Sequence, residues 1–334
     1  MKRPSKEKFY EALNEVKKNN PELGKTEIKE KVGKVFEVTG HAVYDWIRYF
    51  NNMKVETEVN EKSYKNMNLW QFFDLYEEAD IHDDENRYAH IKIDADEIFI
   101  VCLSDIHLGN EKVDRDRLRQ DIKDIGDNKD IYALFNGDLI DYTYDGPDDL
   151  ATEQVFSNPT HLKQFATLLI EEISDSLLGM VTGCHDEWDG DPLVMRLKDK
   201  TLSEVAAKHF IVIDLELRNV TYRIYMRHKM KNHSSYNRCH SVFKDRRDKL
   251  QFDIGIEGHL HEPSIGVQFE QQKPVYAICC GTYKRLDNYA ARVGFVGNDR
   301  LQVPGIWLSG NVKKCVPFID WRDWYDIRKG TSPK

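Results

Sequence analysis

The first fifty residues carry apolar side chains at helical spacing. Residues 5–20 are predicted to form a helix, because Phe9, Leu13 and Val16 recur on one face. Pro21 and Gly24 end this helix. A second helix is predicted from residue 26, and its apolar face is formed by Ile28, Val32, Val35 and Phe36.

A third helix is predicted from about residue 41 to residue 50, after a turn at Thr39 and Gly40. Two short helices joined by a tight, glycine-containing turn resemble a helix-turn-helix. The third helix is then the recognition element of a DNA-binding unit, and its candidate contacts are His41, Tyr44, Asp45 and Arg48. The alternative is a small helical bundle that docks on the main domain or on another protein.

The remaining chain is predicted as a linker followed by one large domain. Residues 55–95 are polar, charged and aromatic without a clear period, which indicates a linker with some docked structure. The domain organisation is therefore a helical unit at 1–54, a linker or docking segment at 55–95 and a main domain at 96–334.

Strand and helix patterns alternate at the start of the main domain and give way to strands later. Strands are predicted at 97–103, 131–135 and 179–182, with helices at 114–125 and 160–178 between them. Further strands are predicted at 210–217, 220–227, 252–256, 264–270, 274–280, 304–308 and 315–320, with one helix at about 236–250. This order predicts an α/β (α+β) fold with a second, mostly β layer.

Charge and cysteine content narrow the class of protein. The net charge of −9 argues against general affinity for nucleic acid over the whole surface, although residues 1–50 carry 11 Lys/Arg against 8 Asp/Glu. The six cysteines form no CxxC pair, a pattern typical of reduced intracellular thiols. No signal peptide and no membrane-spanning run are recognised, so a cytoplasmic protein without membrane partners is expected.

Metal-ligating residue types stand at the ends of several predicted strands. The apolar run from Ile98 to Leu103 ends in Asp105 and His107, which point to the same side of an extended chain. The other clusters are Asn136-Gly137-Asp138-Leu139-Ile140-Asp141, Gly183-Cys184-His185-Asp186, Gly258-His259-Leu260-His261, and the strand ending in His228.

This set of residue types suits phosphoester hydrolysis. Two divalent ions acidify a water molecule and neutralise phosphoryl oxygens, and holding them requires a bridging carboxylate with several N and O ligands. Each cluster has a plainer explanation when taken alone. Asp138 fits a turn aspartate and His228 a buried core histidine, but the whole series at strand ends is harder to explain structurally.

The series resembles the signature of the calcineurin-like metallophosphoesterases, over residues 97 to about 285. The resemblance implies a four-layer αββα sandwich with a binuclear metal centre at the strand ends. It implies that Asp105, His107 and His261 hold the first ion, that Asp138 bridges both ions, and that His228 and His259 hold the second.

The resemblance further implies that His185 acts as a proton donor to the leaving group or as an electrostatic clamp, with Asp186 orienting its ring. Asp141 is expected to support its loop rather than to bind metal. His209, His233 and His240 compete with His228 for the second site. The segment from His228 to Asn237 is rich in hydrogen-bond donors, so His233 and Asn237 are candidate substrate contacts.

One position departs from the family signature, because Cys184 stands where the family has an asparagine ligand. A thiolate prefers zinc or iron to magnesium. Either Cys184 is a ligand that biases the choice of metal, or it is a neutral small residue and the second site is weaker. Manganese is the first expectation for the two divalent ions, with iron, zinc or magnesium as alternatives.

Three functions remain open on the sequence. The preferred hypothesis is a phosphodiesterase or nuclease acting on DNA, since the architecture resembles phosphoesterases carried by bacteria and their phages. The second is a phosphatase or phosphodiesterase for a nucleotide or other small phosphoester, with the N-terminal unit used for docking or homo-oligomerisation. The third is a non-enzymatic binding module with a degenerate metal centre. Basic clusters at 115–119 and 244–247 either contact phosphates or form solvated helix faces.

Overall fold

Two helices form the described part of the N-terminal region. This computed structural model describes residues 6–20, 25–36, 38–39, 43, 88–141, 154–155, 158–187, 205–286, 291–292, 294 and 301–331. The chain divides into two units, Met1–Ile81 and His82–Lys334.

The first unit contains helices α1, Lys6–Asn19, and α2, Lys25–Val35. Phe9, Leu13, Val32 and Val43 are buried together, as helical spacing predicts for the first three. Val35 differs from the prediction, because its side chain is 57% exposed. All four predicted recognition residues, His41, Tyr44, Asp45 and Arg48, lie outside the described residues.

Twelve strands, described in the second unit, form two six-stranded sheets. They are β1 Tyr88–Ile93, β2 Glu97–Leu103, β3 Ile131–Asn136, β4 Leu177–Val181, β5 Ala206–Ala207, β6 Ile211–Leu217, β7 Val220–Arg227, β8 Ile254–Glu257, β9 Ser264–Glu270, β10 Lys273–Cys279, β11 Gly305–Ser309 and β12 Cys315–Phe318. The first sheet has the order β12-β11-β2-β3-β4-β5 and the second has the order β1-β6-β7-β8-β10-β9.

The two sheets pack face to face through apolar side chains that alternate along the strands. Ile98, Ile100 and Leu134 of the first sheet lie in one buried cluster with Ile213 and Ile224 of the second. A Cβ added to Gly179 in β4 would lie 2.7 Å from Cδ1 of Ile213, so the sheets touch closely at this point. This shared core fixes the position of one set of strand ends against the other.

Helices cover both outer faces. They are α3 Arg115–Asp127, α4 Pro159–Glu172, α5 His240–Asp248 and α6 Trp321–Lys329. Helices α3, α4 and α6 bury apolar residues against the outer face of the first sheet, and α5 does so against the second. These layers, in the order helix, sheet, sheet and helix, confirm the predicted αββα sandwich.

Three of these elements are not predicted by the sequence: β1, the two-residue strand β5 and α6. Strand β1 lies within the predicted linker and pairs in parallel with β6, at an edge of the second sheet. It is short, and its residues alternate between exposed and partly buried positions, with none fully buried, which gives a weak signal. Helix α6 has Asp320 as its N-cap and the left-handed Gly330 at its end, which are signals that the sequence does carry.

The described helices include none that is both long enough and apolar enough to cross a membrane. All six cysteines are free thiols. Five of them are buried, which fits their interpretation as small core residues, whereas Cys184 is partly exposed.

We predict that Ile213→Ala lowers the free energy of unfolding by about 2–5 kcal/mol, because it leaves a cavity between the sheets. Urea unfolding followed by circular dichroism measures the change. The control is Val267→Ala on strand β9, where the side chain is 46% exposed and a change within about 0.5 kcal/mol is expected. Equal losses in the two variants would contradict the sheet-to-sheet core.

Candidate metal centre

Neighbouring parallel strands of the first sheet bring three of the sequence clusters to one edge. Strands β2, β3 and β4 are parallel, with Leu103 opposite Phe135 and Asn136 opposite Val181. The ends of these strands are therefore level with one another. The residues that follow them, around 105–107, 138–141 and 183–186, meet outside the carboxyl edge, where open α/β sheets bind their ligands.

The second sheet supplies the remaining cluster from its own pair of parallel strands. Arg227 at the end of β7 lies opposite Glu257 at the end of β8. The chain then runs into His228 on one strand and into Gly258 on the other, and the Gly258 N–H donates to the His228 carbonyl at 3.0 Å. His228, His259 and His261 thus reach the site from the opposite layer.

One group of ligand atoms consists of Asp105, His107 and His261, whose atoms all lie within 4.8 Å of one another. Nε2 of His261 is 3.1 Å from Oδ1 of Asp105 and 3.1 Å from Nε2 of His107. Ligands bonded to one ion at about 2.1 Å and at right angles are about 3 Å apart. The spacing therefore fits three donors around one cation.

A second group consists of Cys184, His228 and His259, and Asp138 approaches it together with Asp105. Sγ of Cys184 is 3.9 Å from Nδ1 of His259. Nε2 of His228 is 3.1 Å from Oδ2 of Asp138. Because Asp105, Asp138 and His228 also form a group of their own, the two sets of donors are contiguous.

Two buried atoms in these groups each face an ionisable side chain at 3.1 Å and make no further hydrogen bond in the described part of the chain. They are Oδ1 of Asp105 and Nε2 of His228. The His228 ring is oriented from its other side, since Nδ1 donates to the Asn136 carbonyl at 2.8 Å. A metal ion bound at this place would displace the Nε2 proton of His228 and would bind both atoms as ligands. The donor set therefore fits divalent metal ions.

The ionisation of the site also suits metal binding. Burial lowers the pKa of His107 to about 4, and burial together with the charge of His228 lowers the pKa of His259 to about 4. Both imidazoles are therefore neutral at pH 7, which is the form that binds metal. Burial alone would raise the pKa of Asp105, but His261 and His228 lower it to about 2, so this carboxylate is ionised.

Asp138 and His228 hold opposite charges next to each other. Burial opposes both charges, yet the ion pair holds the pKa of Asp138 well below its usual range and the pKa of His228 well above 6.5. Asp138 also accepts the backbone N–H of His185 at 2.8 Å. Asp138 is thus held by one residue of the second donor set and by the backbone of the loop that carries Cys184 and His185.

The backbone is turned sharply at the candidate ligands. Positive φ angles occur at Asp105 (50°), His107 (54°), Asp138 (52°), His259 (70°) and His261 (59°). Such left-handed conformations cost non-glycine residues roughly 1–3 kcal/mol each and cluster at functional sites. Gly137 has a φ of 87°, and a Cβ added to Gly183 would lie 2.0 Å from the Asp138 nitrogen. Glycine is required at Gly183 for this close approach.

The partner of His185 differs from the sequence-based expectation. Asp186, expected to orient the His185 ring, accepts the backbone N–H groups of Gly183 at 2.9 Å and Ile140 at 3.1 Å. The carboxylate that faces Nδ1 of His185, at 3.4 Å, belongs to Asp141. Asp186 therefore anchors the loop, and Asp141 is the carboxylate placed to orient the ring.

Asp141 also orients His107, which is consistent with its expected supporting role. Nδ1 of His107 donates to Oδ1 of Asp141 at 2.9 Å, and this leaves Nε2 available as a ligand atom. Asn110 and Gln154 each donate to Oδ2 of Asp141 at 2.8 Å. The sequence analysis did not single out Asn110 or Gln154, because no local pattern marks a residue that supports a ligand from another segment.

The structure distinguishes His228 from the three histidines that compete with it for the second metal site. In the residues searched, which are those described, the ligand groups contain His228 but not His209, His233 or His240. The His233 ring lies beside His259, with centroids 6.3 Å apart. The side chain of Asn237, a candidate substrate contact, accepts the Cys239 N–H at 3.1 Å and so shapes the backbone locally.

One arginine of each basic cluster is paired with carboxylates of the protein itself. Arg117 binds the carboxylates of Asp121 and Asp320, each through a charge-assisted hydrogen bond. Arg246 pairs with Glu270 at 2.8 Å. The contribution of these arginines to a phosphate-binding surface is correspondingly reduced.

We predict that Gly183→Ala abolishes high-affinity Mn²⁺ binding, because the added Cβ would lie 2.1 Å from Oδ1 of Asp138 and displace that carboxylate. Isothermal titration of the purified protein with Mn²⁺ measures the change, and circular dichroism checks the fold. The control is Gly126→Ala in α3, whose added Cβ meets the Glu172 carbonyl at 3.4 Å. Unchanged Mn²⁺ affinity in Gly183→Ala would contradict the assignment of Asp138 to the centre.

Comparisons with known proteins give structural likeness only. No family model and no curated protein matches the chain. Among solved structures, YfkN, a calcineurin-like phosphoesterase from Bacillus subtilis, has 10% identity and a TM-score of 0.37, over 70% of this chain and 96% of that one. YfcE, a phosphoesterase from E. coli, has 11% identity and a TM-score of 0.36, over 66% and 99%.

A conserved uncharacterized protein from Streptococcus pneumoniae has 16% identity and a TM-score of 0.33, over 66% of this chain and 97% of that one. The fold and the site rest on the strands and side chains of this chain itself. Its sheets pack between helices, and its Asp-x-His, Gly-Asp-x-x-Asp and Gly-His-x-His residues meet at the strand ends. This layered fold, with its motifs in this order, resembles that of the calcineurin-like metallophosphoesterases.

Proposed function

We propose that the protein is a metal-dependent phosphoester hydrolase, and specifically a phosphodiesterase or nuclease that acts on DNA. The observation that supports it is the meeting of two donor groups, Asp105, His107 and His261 on one side and Cys184, His228 and His259 on the other. Asp138, which forms a group with Asp105 and His228, is the proposed bridging ligand. Two contiguous sets of donors are what a pair of divalent ions needs.

Bound divalent ions supply activated water and neutralise charge on the phosphoryl oxygens. Residues of the chain orient the two histidines that act beside these ions. Asp141 holds His107 and faces His185, so that both rings have defined orientations. The His185 side chain is 22% exposed and can donate a proton to the leaving alkoxide.

Cys184 is proposed as a ligand rather than as a neutral space-filler. Its Sγ lies with the ring nitrogens of His228 and His259 inside the same 4.8 Å group. A thiolate there would favour zinc or iron at this site over magnesium. Manganese remains the first expectation for the ions that support catalysis.

We predict that the full-length protein hydrolyses bis-p-nitrophenyl phosphate with Mn²⁺, and that Asp138→Asn lowers kcat/KM by more than about a hundredfold. Changing a residue that merely supports a ligand costs about 10–100-fold, and Asp138 lies within the ligand groups themselves. Release of p-nitrophenolate is followed by absorbance. The matched control is Asp214→Asn, where Asp214 pairs with Arg223 on the partly exposed surface of β6 and β7.

Activity that persists in Asp138→Asn, or a wild-type protein that stays inert with Mn²⁺, Zn²⁺, Fe²⁺ and Mg²⁺, would refute the hydrolase proposal. The second result would support the non-enzymatic module instead.

The choice of DNA as substrate is supported by the N-terminal unit. Its helix-turn-helix-like pattern and the positive balance of residues 1–50 suit a reader of DNA fused to a phosphodiesterase. Such a fusion raises the effective concentration of substrate at the catalytic site. Residues His41, Tyr44 and Arg48 are the proposed contacts.

We predict that the full-length protein binds duplex DNA with an affinity that falls with salt. Arg48→Gln should reduce the slope of log K against log[salt] by about one unit, because one phosphate contact is lost. Fluorescence anisotropy at several salt concentrations measures the slope. Lys18→Gln, at the end of α1, serves as the control charge change.

A protein that hydrolyses bis-p-nitrophenyl phosphate yet neither binds nor cleaves DNA would replace this proposal. Its substrate would then be a nucleotide or another small phosphoester, and the N-terminal unit would serve docking or oligomerisation.

A further inference from the structure

The segment from Lys229 to Arg238, here called the flanking loop, leaves strand β7 directly after the candidate ligand His228. It is attached to the ligand segment 257–262 at two places. Near its middle, the His233 ring lies 6.3 Å from the His259 ring, measured between centroids. At its end, the Arg238 guanidinium pairs with the Glu262 carboxylate, next to His261 in the chain. The flanking loop therefore runs alongside the metal centre.

A buried carboxylate anchors the first part of the flanking loop. Glu257 is 0% exposed, and its Oε1 accepts the N–H of Met230 at 2.6 Å. Its Oε2 accepts the hydroxyl of Ser241 in α5. Met230 itself is buried in the core beneath α5. An ionisable group at this depth is retained because the loop and helix bond it on both oxygens.

The tip of the flanking loop is shaped by its own hydrogen bonds. Oγ of Ser234 accepts the N–H groups of Tyr236 and Asn237, each at 3.3 Å. Asn237 in turn accepts the N–H of Cys239, which is buried. The tip is thus a formed turn, held from both of its ends.

The flanking loop exposes one aromatic ring, on this turn, and two cationic side chains, before it. Tyr236 is 100% exposed, so its ring packs on no described part of the protein. Lys229 and Lys231 are also exposed, and Lys229 directly follows the candidate ligand His228 in the chain. A free aromatic face beside positive charge is the combination with which proteins hold single-stranded nucleic acid.

We propose that the flanking loop binds the nucleotide next to the scissile phosphate, with the Tyr236 ring stacking on its base and Lys229 and Lys231 contacting adjacent phosphates. The substrate class is a base-bearing phosphodiester that is single-stranded at the cleavage site. This inference rests on the proposed function, since it assigns a substrate to the same metal centre.

The test compares a single-stranded oligodeoxynucleotide with an abasic oligonucleotide of the same length, both cleaved by the full-length protein with Mn²⁺. Stacking on one base is worth about a factor of ten in binding. We expect wild type to have a KM about tenfold lower for the base-bearing strand. In Tyr236→Ala the ratio of the two KM values should fall to about one, while Tyr236→Phe should restore it.

The matched control is Tyr88→Ala, at a tyrosine that is 67% exposed on the edge strand β1. Its ratio should stay at the wild-type value. Because the Tyr236 ring is fully exposed, its removal should leave the unfolding midpoint unchanged, and circular dichroism checks this.

An unchanged ratio in Tyr236→Ala, or an equal change in Tyr88→Ala, would overturn the inference. So would a wild-type protein that hydrolyses bis-p-nitrophenyl phosphate but cleaves neither oligonucleotide, and in that case the hydrolase proposal stands. Failure with all three substrates would instead remove the proposed function together with this inference.

Discussion

Left-handed backbone conformation at the candidate ligands is the constraint on which the site depends. Asp105, His107 and Asp138 can adopt it because the hydrogen-bond ladder between their segments continues beyond the strands. The Asp105 N–H donates to the Gly137 carbonyl at 2.9 Å, and the His107 N–H donates to the Asp138 carbonyl at 3.0 Å. Backbone strain persists only where the surroundings hold it, and here the shared core of the two sheets does so.

The left-handed turns also determine which charged groups are buried next to one another. The strained turns bring buried carboxylates and imidazoles together, an arrangement that is costly unless each charge has a partner. Asp138 and His228 supply partners for each other, while Asp141 supports His107 from behind. The site is thus organised before any ligand arrives, which limits the reorganisation needed on binding.

The same ligand segment also organises its surroundings. Glu257 ends β8 immediately before the Gly-His-x-His residues, and it bonds both the flanking loop and α5. Glu257 therefore ties the start of the flanking loop and α5 to the strand end that carries His259. The candidate metal centre and the proposed base-binding loop thus share one strand end.

The sequence by itself determined the layer order, most strand positions and the set of candidate ligands. Strands 97–103, 220–227 and 264–270 are found with the predicted bounds, because apolar periodicity is a local property of the chain. Because parallel strands have their carboxyl ends at one edge of the sheet, the candidate ligands that follow these strands were expected to meet there.

Only the tertiary structure decided which side chains orient the candidate ligands and which pair with one another. Asp141 rather than Asp186 faces His185, and Arg117 forms hydrogen bonds with a carboxylate of the protein. Strand β1, within the predicted linker, pairs with the second sheet. Asp186 lies next to His185 in the chain, yet a sharp turn points it at backbone N–H groups instead. Partners of this kind depend on contacts between segments that are distant in sequence, and no local period records them.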